Sequence, residues 1–187
     1  MDTICYTPIG VVRSPHTQAA ETPKQTESAR GIAATVEIDP RFVEGLKELE
    51  GFSYLWLVAH LHATSSVTLR VTTLRGEPPI GIFATRGPFR PNPIGLSLVR
   101  LVRVEGSVLH IEDIDLLDGT PVLDIKPYVP RLDEREGASS GGFERHLRLA
   151  CAMRPRPPPG ARRSGRRRRS TWSAPRRQAP AAARRDA

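Results

Sequence analysis

The sequence predicts a mainly β fold, an antiparallel sandwich or barrel with one or two short helices, followed by a disordered C-terminal tail. Three observations carry this. Most of the chain is a series of short β-favouring runs parted by turn signals. Only one segment has clear helical punctuation at both ends. From Arg154 onward the composition is nearly all Arg, Pro, Ala, Gly and Ser, with Trp172 its only aromatic, which cannot bury enough apolar surface to offset ordering entropy. Many short strands with few helices disfavour a doubly wound sheet.

The elements follow in chain order. Ile4–Val12 and Ala33–Ile38 are β-favouring runs. Asp39 is suited to cap a helix that Pro40 starts and Gly51 ends, with Phe42, Leu46 and Leu49 at helical spacing. Tyr54–Leu61 is almost continuously apolar, the pattern of a strand buried on both faces. Val67–Leu74 alternates, with Val67, Leu69 and Val71 opposite Thr68, Arg70 and Thr72. Ser97–Val104 and Val108–Glu112 flank Glu105-Gly106, a tight hairpin. Pro121–Lys126 supplies another strand, and Phe143–Ala150 a short second helix.

With 187 residues, 39% of them hydrophobic, the chain suffices for one domain over 1–150, with 151–187 as the tail. No run approaches the roughly eighteen apolar residues of a membrane span, so no membrane role is expected. Residues 1–30 carry no secretory signal pattern. Cys5 and Cys151 form neither a CxxC pair nor a disulfide framework, which fits a reducing cytoplasm. The formal net charge of +8 conceals a division. Met1–Met153 carries sixteen Lys and Arg against nineteen acids, and Arg154–Ala187 carries twelve Arg against Asp186 alone. Such an arm suits nonspecific contact with a polyanion by counterion release; a solvated extension without a task fits the composition equally.

Chemistry concentrates in two stretches. Gly81–Gly95 contains Pro88, Pro91 and Pro93, which remove donors and stiffen the backbone. It displays Arg86, Phe89, Arg90 and Asn92, and a rigid loop holding two guanidinium groups suits a carboxylate or phosphate. The second stretch, Asp113–Tyr128, contains the turn signal Asp118-Gly119. Beyond it Asp124, Lys126 and Tyr128 alternate with Ile125 and Pro127, so the three share one strand face, as an acid–base pair or as a surface ion pair. His60 and His62 lack a third ligand at local spacing, so no metal is expected. No dinucleotide fingerprint, P-loop, HExxH or GxSxG motif is present.

At these residues the sequence resembles the TsaA-like, or TrmO, family of tRNA methyltransferases. The resemblance runs through Ile9–Pro15, Pro23–Gln25, Glu44–Leu46, Phe52–Trp56, Arg86–Ser97, Asp115–Pro121 and Asp124–Tyr128. Gly87, Ile82 and Tyr54 depart from the residues common at those places. The resemblance implies a small antiparallel β-barrel, a homodimer, S-adenosylmethionine as methyl donor, and methylation of N6 of N6-threonylcarbamoyladenosine beside the tRNA anticodon. It implies cofactor contacts at Gln25, Leu61, His62, Arg86, Leu96, Leu116, Leu117, Asp118 and Gly119. Arg86 is suited to the cofactor carboxylate, and Phe89, Arg90 and Asn92 to the substrate. Asp124, Lys126 and Tyr128 are the candidates for catalysis, with His62 in reserve. Two other readings remain: the same cofactor with a small-molecule or different RNA acceptor, and a nonenzymatic RNA-binding module. The 5% aromatic content disfavours a dedicated single-strand binder.

Overall fold

The computed structural model describes residues 2–23, 26–72 and 78–142. The anticipated helix over Phe143–Ala150, the tail, Cys151 and Gln25 lie outside the described residues. The described residues form eight strands: β1 (Gly10–Arg13), β2 (Ala33–Ile38), β3 (Tyr54–His60), β4 (Arg70–Val71), β5 (Ile80–Gly81), β6 (Ile94–Glu105), β7 (Val108–Glu112) and β8 (Pro121–Pro127). Six of them close an antiparallel barrel in the order β1-β2-β7-β6-β3-β8, with β8 returning to β1.

Closure follows from alternation along each strand. On β3, Leu55, Leu57 and Ala59 point inward and are fully buried, facing Val99, Ser97 and Gly95 of β6 in register. Val12, Val36, Leu109, Ile111 and Val122 complete the lumen from the other strands. Burying so many aliphatic side chains, each worth about 1.5–3 kcal/mol, holds the barrel together. The turn joining β6 to β7 is Gly106-Ser107, with Gly106 at φ +59°, where glycine escapes the Cβ penalty.

Several expectations are corrected. Tyr54–Leu61 was expected to be buried on both faces, but Trp56 and Val58 are half-buried on the outside and Tyr54 is exposed. The helix over 40–51 is replaced by two 3-10 turns, Pro40–Leu46 and Leu49–Gly51, interrupted by Glu48 at φ +66°. Asp39 does cap the first turn, accepting the Arg41 N–H at 2.9 Å. Val43 and Gly45 are weak helix formers, and three-residue periodicity aligns Val43 with Leu46 rather than Phe42. Leu46 and Leu49 still pack on the core.

The first strand is shorter than its apolar run. Ile4 and Tyr6 are exposed, and pairing begins at Gly10, where a Cβ would collide with the Glu37 carbonyl oxygen. Among the described residues of the run expected over Val67–Leu74, only Arg70–Val71 pairs as a strand, with β5, while Val67 and Leu69 stay exposed. Strand β6 begins three residues earlier than anticipated. A short helix, α1 (Pro130–Asp133), follows β8 and was not anticipated.

Candidate cofactor and substrate site

The loop over 113–120, between β7 and β8, organises one end of the barrel. Asp113 sits at φ +70° and its carboxylate accepts the Gly31 N–H at 2.7 Å. Ile114 and Leu116 turn into the core. Between them Asp115 accepts the Ser97 hydroxyl at 2.6 Å. Ser97 is itself 3% exposed and faces the lumen opposite Leu57.

The segment after β1 is laced to this loop. The Ser14 hydroxyl donates to the Leu116 carbonyl at 2.8 Å, and the Asp118 carboxylate accepts the Ser14 N–H at 3.1 Å. Main-chain bonds run from Asp118 N–H to the His16 carbonyl and from Gly119 N–H to the Val12 carbonyl. His16 Nε2 lies 3.2 Å from the Ile114 carbonyl oxygen. Gly119 takes φ +74°, as the Asp-Gly turn signal requires. A shallow groove lined by Arg13, Ser14, Pro15, Thr35, His110 and Asp118 runs past this seam.

Leu61 joins from the end of β3, its N–H bonded to the Pro93 carbonyl at 2.7 Å. A Cβ at Gly95 would lie 2.8 Å from the Leu61 side chain and 3.7 Å from that of Leu116. Gly95 is therefore the gap that lets two leucines from distant segments share one apolar surface. Leu96 follows on the outer side, 56% exposed, and His62 is exposed in the turn after Leu61.

The proline-rich loop is braced from within. Arg90 Nη1 donates to the carbonyls of Thr85 at 2.9 Å and Ile82 at 3.2 Å, and its guanidinium lies 5.6 Å from the Phe83 ring centroid. Thr85 Oγ1 donates to the Ile82 carbonyl and accepts the Gly87 N–H. Phe83, Phe89 and Asn92 are exposed. Arg86 is exposed too, and its charge acts on Asp115. Burial pushes the Asp115 carboxyl above its ordinary value, opposed by the Ser97 hydrogen bond and the charges of Arg86 and His16.

Of the three candidate catalytic residues, Asp124 and Lys126 lie on β8 and Tyr128 directly follows it. Asp124 and Lys126 form a 2.9 Å ion pair, both partly exposed. In register, Asp124, Val58 and Leu96 form one row across the outer barrel, and Lys126, Trp56 and Leu98 the next. Tyr128 packs edge-on against Trp56 at 5.9 Å and Tyr54 at 6.4 Å. Its hydroxyl donates to Glu134 at 3.2 Å, and desolvation, then the Glu134 carboxylate, raises the phenol above its ordinary value.

Four residues of this region escaped sequence reasoning: Ser14, His16, Ser97 and Asp115. Ser97 carried a signal. It falls in the inward phase with Val99 and Leu101, where a hydroxyl is out of place without a partner.

Residues 11–134 match the model of the tRNA-methyltransferase O N-terminal domain. A protein of Pyrococcus abyssi, named for binding S-adenosyl-L-methionine, is 49% identical over 144 residues, covering 77% of this chain and 78% of its own. The tRNA (adenine(37)-N6)-methyltransferase of Escherichia coli is 36% identical over 150 residues, covering 75% of this chain and 64% of its own. A crystal structure of TrmO from Pseudomonas aeruginosa superposes with a TM-score of 0.65 at 36% identity, covering 80% of this chain and 76% of that one. On these matches and on its barrel, the chain belongs to the tRNA-methyltransferase O family.

Proposed function

We propose that this protein transfers a methyl group from S-adenosylmethionine to N6 of adenine in tRNA, the acceptor being N6-threonylcarbamoyladenosine at position 37, the position named for its E. coli relative. The observation that carries this reading is the placing of Leu61 and Leu116 about Gly95, beside the loop that Asp115 ties to Ser97. An apolar wall suits the heteroaromatic base of a ligand, and the exposed Arg86 of the proline-rich loop suits a ligand carboxylate. Gln25, His62, Leu96, Leu117, Asp118 and Gly119 complete the cofactor set.

The cofactor supplies an electrophilic methyl group on a sulfonium. The protein holds the acceptor in line with the carbon–sulfur bond, which removes much of the entropic barrier. Phe89, Arg90 and Asn92 line the acceptor side. The threonyl carboxylate and neighbouring phosphates are natural partners for the loop's cationic edge. Asp124 would accept the proton that N6 gives up on methylation, while the bound cofactor would supply the methyl group and retain the sulfur electron pair. Lys126 holds that carboxylate through their ion pair, and Tyr128 walls the position with Trp56. Leu96 and Asp124 share one outer row, so cofactor edge and proton acceptor face the same side.

That outer side also supports a homodimer. Trp56, Val58 and Leu98 give β3 and β6 an apolar exterior, with exposed Ile94 and Leu96 at its margin. The reducing-compartment cysteine pattern supports a cytoplasmic location, and the arginine-rich tail fits a nonspecific tRNA contact. The decisive experiment is nucleoside mass spectrometry of tRNA from a deletion strain. Loss of the N6-methylated threonylcarbamoyl nucleoside, restored by the gene, is the expected result. An unchanged nucleoside profile refutes the acceptor.

A further inference from the structure

We propose that Phe83 is a stacking platform for an unpaired nucleobase of the tRNA loop, next to the methyl acceptor. The inference rests on the reading that tRNA is the substrate. It adds a binding position outside the residues given to cofactor, acceptor and catalysis.

The chain between β3 and β6 differs in charge from the rest of the body. Residues 61–93 carry four arginines against Glu77, whereas residues 1–60 and 94–153 carry twelve Lys and Arg against eighteen acids. A polyanion approaching an otherwise acidic body is drawn to this excursion.

Phe83 is 73% exposed, more than any other aromatic side chain among the described residues. The ring is nonetheless held. The Arg90 guanidinium stands over it, 5.6 Å from the centroid, and Nη1 of that group is tied to the carbonyls of Ile82 and Thr85. One face is thus backed by a fixed planar cation, and the rest of the ring is open to solvent. The loop is fastened at two points to one short segment. The Ile82 N–H donates to the Leu69 carbonyl at 3.0 Å, and the Thr68 N–H donates to the Phe89 carbonyl at 3.1 Å. Phe83 and Phe89 therefore stand on a loop that leaves and rejoins adjacent residues, beside exposed Val67 and Leu69.

A flat, preorganised ring among arginines suits an unpaired RNA base, which is held by stacking on aromatic and guanidinium planes. The acceptor adenine must leave its stack before N6 can reach a cofactor. Its departure strips a face from each neighbouring base, and Phe83 can cover one of them. A second copy of this chain is the poorer occupant. A two-fold contact sets a patch against itself, which here would oppose arginines to arginines, while the exterior of β3 and β6 offers an apolar face.

The test is fluorescence anisotropy of the full chain with an anticodon stem–loop RNA carrying the threonylcarbamoyl acceptor. Two further RNAs are abasic at one or the other neighbour of the acceptor. Phe83→Ala should weaken binding of the intact RNA about tenfold, with S-adenosylmethionine affinity and melting temperature unchanged. Phe83→Leu, apolar without a π face, should match Phe83→Ala, and Phe83→Trp should bind at least as tightly as wild type. One abasic RNA should bind wild type and Phe83→Ala alike, because its missing base is the ring's partner.

Wild-type affinity in Phe83→Ala or in Phe83→Leu overturns the platform, as do additive losses with both abasic RNAs. A lighter species of Phe83→Ala in sedimentation overturns it too, and assigns the ring to a contact between copies. If the wild-type protein does not bind the intact RNA, the tRNA reading itself fails, a result distinct from selective loss in the variants.

Discussion

Arg90 Nη1 donates to the Thr85 carbonyl oxygen at 2.9 Å, five residues back along the same loop. With the bond to the Ile82 carbonyl, this makes the arginine a clamp across the 3-10 turn Ile82–Ala84. Arg90→Ala should loosen the loop, raising KM for tRNA and for the cofactor together while the barrel's melting temperature changes little. Arg90→Lys should rescue only partly, since an ammonium lacks the planar fork. Hydrogen exchange over 82–92 is the check; unchanged protection in Arg90→Ala would refute the clamp.

Asp124→Ala should slow turnover by about 100-fold, the scale of general-base assistance, with cofactor affinity kept. Single-turnover methylation of purified tRNA measures the first and calorimetry the second. Full turnover in the variant would move the proton acceptor elsewhere.

Gly95→Ala should narrow the wall between Leu61 and Leu116. The added carbon meets the flexible end of Leu61 at 2.8 Å, so the side chain can yield at a cost of about 1 kcal/mol. Cofactor affinity should fall more than stability does. A comparison of melting curves with and without cofactor reads both, and a purely structural loss would count against the wall.

Asp39 has its carboxyl lowered to about 2, first by the Arg41 side-chain hydrogen bond and then by the Arg41 backbone N–H. The group is depressed in the fold, so its contribution is present above its ordinary value of 3.8 and lost as pH falls through about 2. Arg41→Ala should bring the midpoint back toward the ordinary value and move the loss to higher pH. Carboxyl-carbon NMR titration gives the midpoint directly.

Deleting residues 154–187 should leave cofactor affinity intact and flatten the salt dependence of tRNA binding, since twelve arginines leave with the segment. Filter binding across a salt series gives the slope. An unaltered slope would separate the tail from RNA.

Much of the barrel was legible because strand alternation is local. Ala33–Ile38 and Val108–Glu112 fall where the sequence put them, and the Gly106 turn lies in the anticipated hairpin. The Tyr54–Leu61 run misled, because apolarity alone cannot distinguish a second core face from an exterior one. The helix after Asp39 misled for another reason. Its cap and proline were real, but Gly45 and the left-handed Glu48 shortened the periodicity. Of the candidate site, the residue types in the proline-rich loop were visible, whereas the placing of Leu61 and Leu116 about Gly95 was not, since it joins segments far apart in sequence. Asp115 and Ser97 stayed hidden likewise: only the fold brings an inward serine to a loop carboxylate.

The closed sheet has one last consequence. Every barrel strand has both flanks occupied by neighbours, so nothing can dock on the barrel by adding a strand to an open margin. Recognition of a nucleic acid or of a sister molecule must pass through loops and outward side chains. Those can be exchanged one at a time without unzipping the ladder beneath, which leaves partner choice free to drift while the scaffold stays put.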